Sequence, residues 1–255
     1  MWKKFRQQAC RESGFFVLSS VEKQVLLVKS LLVILLLDYF FYQSVWALFP
    51  LLTVGVQYYR MEKRILYQKK REMAREQFKE LILLASAGQR AGYSAENAFL
   101  SSYSDMQALF GENSSVCHMI YKLKCGKDNN RAFSELWKEM GSELEIVEIM
   151  EFAQVYEIAQ KSSGNMSSVM EKTAEIIIHK METEKEISVL LSGKKLEQKI
   201  MNVMPFLIML YISITSPGYF QGLYHSQAGA FIMSICLVLY LAAYGLSIHI
   251  VSIKI

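Results

Sequence analysis

The chain has 255 residues, of which 52% are hydrophobic, with a mean hydropathy of +0.18 and a formal net charge of +4. That is too apolar for a soluble domain of ordinary usage, and a mild charge without basic runs interleaved by aromatics excludes a nucleic-acid groove, so no nucleic-acid partner is expected. Four cysteines, Cys10, Cys117, Cys125 and Cys236, lack the spacing of a disulfide scaffold.

Residues 1–24 begin with the basic "MWKKFRQQACR", followed by the brief apolar run "GFFVLSS" and then Glu22 and Lys23. Without a small-residue cleavage site this reads as a retained tail. Residues 25–59 are mostly apolar and, as one helix, would be about 52 Å long against a hydrocarbon core of about 30 Å. A two-span hairpin fits better. Its break falls near "LDYFFYQS", where Asp38 and Gln43 favour water and Tyr39, Tyr42 and Trp46 suit the interface. Lys29 is expected to reach back to the headgroups.

Residues 60–79 then carry eight basic side chains against three glutamates. The flank that matters most is Arg60, Lys63, Arg64, Lys69, Lys70 and Arg71, which marks the cytoplasmic side and doubles as a surface attracted to anionic lipid. Further spans are expected at 200–216 and 230–250, joined by an uncharged external loop at 217–229 and followed by a short tail at 251–255. An even number of spans places both termini in the cytoplasm.

Between the membrane segments, residues 60–199 contain no proline and no alternating strand pattern, so helix is the consistent reading. Gly92, Gly126, Gly141 and Gly164 are read as helix turns, each followed by a helix start. Ser94 with Glu96, Asp128 or Asn129, Ser142 with Glu145 in a capping box, and Asn165 or Ser168 with Glu171 supply the caps. The expected helices are 62–90, 94–108, 114–125, 129–140, 143–162 and 166 to about 192. Fold class is therefore all-α: an antiparallel six-helix cytoplasmic bundle with four transmembrane helices.

Two features of the bundle bear on function. Glu145, Glu148, Glu151, Gln154 and Glu157 recur every third residue and form a narrow acidic ridge, read either as a solvated face or as a docking surface. Met170, Ala174, Ile177 and Met181 form an inward row on the last helix. Beyond it "ISVLLSGKKLEQKIMNVMPF" runs almost continuously into the third span, with Gly193 the expected bend and Pro205 at membrane entry.

No chemistry-bearing motif accompanies this frame. Gly126-Lys127-Asp128 and Gly193-Lys194-Lys195 lack the upstream glycine and the terminal hydroxyl of a phosphate-binding loop, and hydrolase, zinc-helix and kinase motifs do not occur. Cys117 and Cys125 would be separated by about 12 Å of helix, too far for one tetrahedral zinc with His118. His118, His179, His225 and His249 neighbour no nucleophile; His179 alone draws notice, on the helix leading to the membrane. The expected spans hold almost no ionisable groups, which weighs against a coupled transporter. No enzyme activity, no cofactor and no metal are expected.

Three segments carry a family resemblance. "LLASAGQRAGYSAENAF", "GKDNNRAFSELW" and "FAQVYEIAQKSSGNMSSVMEKTAEIIIHKMETEKEISVLLSGKKLEQKIMNVMPF" resemble the F-domain platform proteins of type II secretion systems and type IV pili. One domain copy preceded by two short spans is similar to the tight-adherence (Tad) branch, which builds Flp-type pili. The resemblance implies a multi-pass, non-enzymatic protein of the bacterial cytoplasmic membrane. It implies as partners a hexameric assembly ATPase coupled to the bundle, a sister platform protein or further copies of the chain, pilin subunits, and the bilayer; the ridge residues Glu145, Glu148, Glu151 and Glu157 are the candidate docking site for the ATPase. A small transporter or channel subunit and a membrane-anchored signalling adaptor are the alternative readings.

Overall fold

The computed structural model describes residues 20–41, 48–161, 166–216, 218–219 and 227–251. Every element among them is an α-helix: α1 (Ser20–Phe41), α2 (Leu48–Arg90), α3 (Ala95–Ser101), α4 (Tyr103–Phe110), α5 (Ser115–Asp128), α6 (Phe133–Leu144), α7 (Val147–Lys161), α8 (Met166–Leu190), α9 (Ser192–Thr215) and α10 (Gln227–Val251). The all-α expectation holds for the described residues. The chain divides into two compact units, one built around Ile65–Glu182 and the other from Leu18–Arg64 with Thr183–Ile255.

The first unit is a helical body whose core is aromatic. Phe78 of α2, Phe99 of α3, Trp137 of α6 and Phe152 of α7 meet edge to face, with Trp137 5.5 Å from Phe78, 5.2 Å from Phe99 and 5.4 Å from Phe152 between ring centroids. All four are fully buried, as are Phe133 and Tyr156. Truncating one such ring costs about 3–5 kcal/mol, because the hole cannot collapse between packed helices. The predicted inward row of α8, Met170, Ala174, Ile177 and Met181, joins the same core. Beyond Met181 that row stops, Val189 and Leu190 are exposed, and the first compact unit ends at Glu182.

Local sequence explains the turns, though not always as expected. Gly92 ends α2 with φ 95°, and Tyr93 N–H donates to the Gly88 carbonyl at 3.1 Å, which is the closing bond of a glycine-terminated helix. Ser94 then caps α3 by accepting from Asn97 N–H. The expected single helix 94–108 is two helices, because the Ser101 and Ser102 hydroxyls both donate to the Ala98 carbonyl and compete for the backbone acceptor there.

Gly126 and Gly141 are not turns. Gly126 is buried inside α5, where an added Cβ would collide with the Leu136 side chain of α6. Gly141 lies inside α6, where a Cβ would come within 2.7 Å of Met150 Cγ and 3.0 Å of its backbone nitrogen. Both glycines let neighbouring helices approach closely. The reversals fall instead on Asn130 and Glu145, each with φ 54°, and the capping box expected from Ser142 and Glu145 does not form. Gly164 lies outside the described residues.

The second unit packs α1, the start of α2, α9 and α10 around Leu37, Phe40, Phe41, Leu51, Met233 and Leu237. Phe206 of α9 lies against Phe40 at 5.6 Å and Tyr240 at 5.2 Å. Helix α1 pairs with α2 through Lys29 and Glu62, 2.8 Å apart, and an added Cβ on Gly55 would collide with Ile34. The helix continues through Leu191, whose N–H donates to Ile187 and whose carbonyl accepts from Lys195. Gly193, the expected bend, lies in the first turn of α9, and Pro205 sits within that helix, past its charged first turns.

Among the described residues three helical stretches are long and apolar enough to cross a membrane: Ser20–Phe41, one within Ser168–Thr215, and Phe231–Ile248. The second half of the expected hairpin differs. Leu48–Tyr59 supplies 12 apolar-rich residues at the head of α2, about 18 Å, and the same helix then runs directly into the basic flank.

Candidate functional site: an ion-pair cluster on three helices

The helical body concentrates its charge chemistry where α2, α7 and α8 meet. Glu148, on the first turn of α7, is only 5% exposed. Its Oε1 accepts from Arg75 Nη2 of α2 at 2.6 Å and lies 3.6 Å from Lys180 Nζ of α8. Lys180 also reaches Glu151 at 3.2 Å, and Arg75 reaches Glu72 at 3.6 Å. Arg71 with Glu145 at 3.0 Å extends the cluster on one side, and Lys79 with Glu182 at 3.8 Å on the other.

The order of these contacts fixes the helix directions. Arg71 and Arg75 advance with Glu145 and Glu148, so α2 and α7 run parallel. Lys79 meets Glu182 while Arg90 meets Glu171 at 3.2 Å, so α8 runs back along α2.

Burial would raise the Glu148 carboxyl, but the Arg75 hydrogen bond, the residue's own backbone N–H and the charges of Arg75 and Lys180 outweigh it. The carboxyl is held below the ordinary glutamate value. Lys180 is lowered by its partial burial and raised more by Glu151 and Glu148, ending above the ordinary lysine value. Glu148 and Lys180 are thus both charged at neutral pH. Each carboxylate already accepts from a cation, an arrangement suited to clamping helices rather than to passing protons. Losing one partner of a buried pair costs about 3–5 kcal/mol because the other charge is stranded. The flanking exposed pairs contribute about 0–1 kcal/mol each.

The structure separates the residues of the expected acidic ridge. Glu145 lies outside α7, in the left-handed turn before it, and Glu148 points inward to Arg75. Glu151 is exposed but held by Lys180, and Glu157 pairs with Lys161 at 2.7 Å along its own helix. The outward stripe of α7 is instead Val147, Glu151, Gln154 and Ile158. Of the basic flank, Arg71 belongs to the cluster, while Arg60, Lys63, Arg64 and Lys69 are exposed on α2 and Lys70 is half-buried. Sequence reasoning counted Arg75 only as charge and gave Lys180 no role. Their partner lies 73 residues away in the first case, and no local spacing carries that signal.

Cys117 is buried and donates to the Gly111 carbonyl, His179 is exposed on α8, and no group of metal-ligating side chains gathers among the described residues. Asp38, expected at the outer turn, sits near the end of α1 with Oδ1 buried and unbonded among the described residues. Comparison with family models, with curated proteins and with solved structures returns no match.

Proposed function

We propose that the chain is a non-enzymatic platform protein of the bacterial cytoplasmic membrane, of the tight-adherence (Tad) pilus, type IV pilus or type II secretion class. Its helical body receives work from a hexameric assembly ATPase and delivers it to apolar helices that guide pilin subunits into a filament. One observation supports this above the rest: α2 and α8, which the ion-pair cluster clamps to α7, are also the helices that carry the chain into the apolar segments. A displacement imposed on the body would be resisted by charge pairs and a close-packed aromatic core, and passed along continuous backbone rather than absorbed in a loop. The segment resemblance in α2–α3, α5–α6 and α7–α9 points the same way.

The ATPase contact moves with the corrected geometry. Glu148 is committed to Arg75, so docking falls on the outward stripe of α7, where Ile158 is 69% exposed beside Gln154 and Glu151. The test has two arms. Full-length protein in detergent, carrying Glu151→Lys with Ile158→Ser, is expected to lose capture of the co-expressed assembly ATPase while keeping its elution profile. A strain deleted for the chain is expected to lose surface pili. Normal piliation would overturn the platform reading, and solute flux in proteoliposomes holding this protein alone would replace it with a transporter.

A further inference from the structure

Between Arg60 and Arg71 there are six basic residues and one acid, Glu62. That acid does not neutralise its neighbours: its carboxylate accepts from Lys29 Nζ of α1 at 2.8 Å, on the opposite side of α2 from Arg60 and Arg64. Arg60, Lys63 and Arg64 fall at i, i+3 and i+4, which places them on one helix face, and all three are exposed. The residues just before them, Leu48–Tyr59, are apolar and aromatic. Further along the same helix Arg71, Arg75 and Lys79 are drawn to carboxylates of the helical body. Arg71, Arg75 and Lys79 are thus used internally, while Arg60 and Arg64 are exposed where the apolar stretch ends.

Helix α9 repeats the arrangement. Lys195 and Lys199 stand four residues apart, both exposed, immediately before the apolar Ile200–Thr215. The second unit brings the two helices level. Tyr240 of α10 donates to the Asn202 carbonyl, three residues past Lys199, at 3.1 Å. Tyr244 is stacked on Tyr240 one turn further on with a centroid separation of 6.4 Å, and Leu51 of α2 shares one core with Met233 and Leu237 of α10 and with Phe206 and Met209 of α9. The Lys195–Lys199 turn and the Arg60–Arg64 turn thus occupy the same end of this unit, at the edge of its apolar layer, with tyrosines between.

We propose that this end is a binding surface for the headgroups of anionic phospholipids, with Arg60 and Arg64 forking onto phosphate oxygens and Lys63, Lys195 and Lys199 supplying point charge. A soluble acidic partner would need the surface away from lipid. The continuity of both basic turns with apolar helix, and tyrosines at the level where amphipathic rings settle, place it at the membrane surface. The inference does not depend on the pilus reading, since it uses only the second unit.

Full-length protein in a neutral detergent is offered an equimolar mixture of phosphatidylglycerol and phosphatidylcholine, and the retained lipid is quantified after size-exclusion chromatography. The wild type is expected to retain phosphatidylglycerol about tenfold over phosphatidylcholine at low salt, with the preference shrinking as salt rises. The variant R60Q/K63Q/R64Q/K195Q/K199Q is expected to retain both equally, while K124Q/K172Q, which removes two exposed lysines of the helical body, keeps the preference. K63R/K195R/K199R holds charge constant and is expected to behave as wild type, which separates lost charge from lost fold. Equal retention by the wild type overturns the proposal, as does an undiminished preference in the five-site variant. Loss of a co-purifying acidic protein from that variant with lipid preference intact would assign the surface to a protein partner and overturn it too.

Discussion

Glu148 shows how a single position decides between a surface and a joint. Its neighbours in the acidic row, Glu151 and Glu157, meet their cations in the open, whereas Glu148 is buried with Arg75 at 2.6 Å. Glu148→Gln keeps the shape and removes the charge, leaving Arg75 with Glu72 at 3.6 Å and Lys180 with Glu151. We expect it to destabilise the body at neutral pH by about 1–3 kcal/mol, read from denaturant unfolding followed by the buried Trp137. The pH dependence gives a second check. Because the folded carboxyl lies below the ordinary value of 4.5, its stabilising contribution is complete above that value and is lost as pH falls through the lowered one. The gap between wild type and Glu148→Gln should therefore close on acidification below about pH 4. A gap that stays constant down to pH 2 would mean that the pair does not form.

Elements test a different kind of packing, and they show where reading the chain locally succeeds. Gly92 and Ser94 together end one helix and start the next using only their own neighbourhood, so both were recognisable from sequence. Gly126 and Gly141 have the same local look, yet serve contacts with Leu136 and Met150 on the following helix. The information sits in the partner helix and not in the flanking residues. For the same reason the actual reversals at Asn130 and Glu145 were hidden behind more conspicuous glycines. Replacing Gly141 with Ala would raise intrinsic helix propensity by about 0.8–1 kcal/mol, but a Cβ at 3.0 Å from the Met150 backbone forces helices α6 and α7 apart. We expect net destabilisation of about 1–3 kcal/mol. A more stable Gly141→Ala variant would show that the helices are not in contact there. At Glu145 the sign reverses. Glu145→Gly removes the left-handed penalty of about 1–2 kcal/mol and loses only an exposed pair with Arg71, so it should match or exceed the wild type. Glu145→Val, a branched side chain at φ 54°, should fall below it by about 1–2 kcal/mol. Equal stability of the two variants would place the turn elsewhere.

For the whole molecule, composition alone was enough to separate apolar from charged segments, but the count of crossings was not, because it depends on which side chains meet. The Lys29–Glu62 pair supplies what the hydropathy pattern lacks. Lys29, near the middle of α1, and Glu62, just past the apolar head of α2, are 2.8 Å apart, so the two helices run side by side at that level. From that pair to Phe41 α1 rises about 18 Å, while its full length, Ser20–Phe41, is enough to cross a membrane. The second constraint comes from Tyr240 on Asn202 and from Leu51 packed with Met233, Leu237 and Phe206, which bring α2, α9 and α10 together in one layer. Lys23, Lys195 and Ser216 therefore report the arrangement of one unit. In a background without Cys10, Cys117, Cys125 and Cys236, Lys23→Cys and Lys195→Cys should react with a membrane-impermeant maleimide only after the cells are opened. Ser216→Cys, at the far end of α9, should react in intact cells. Labelling of positions 23 and 195 from opposite sides would break the hairpin and, with it, the geometric basis for gathering the basic turns of α2 and α9 at one membrane surface.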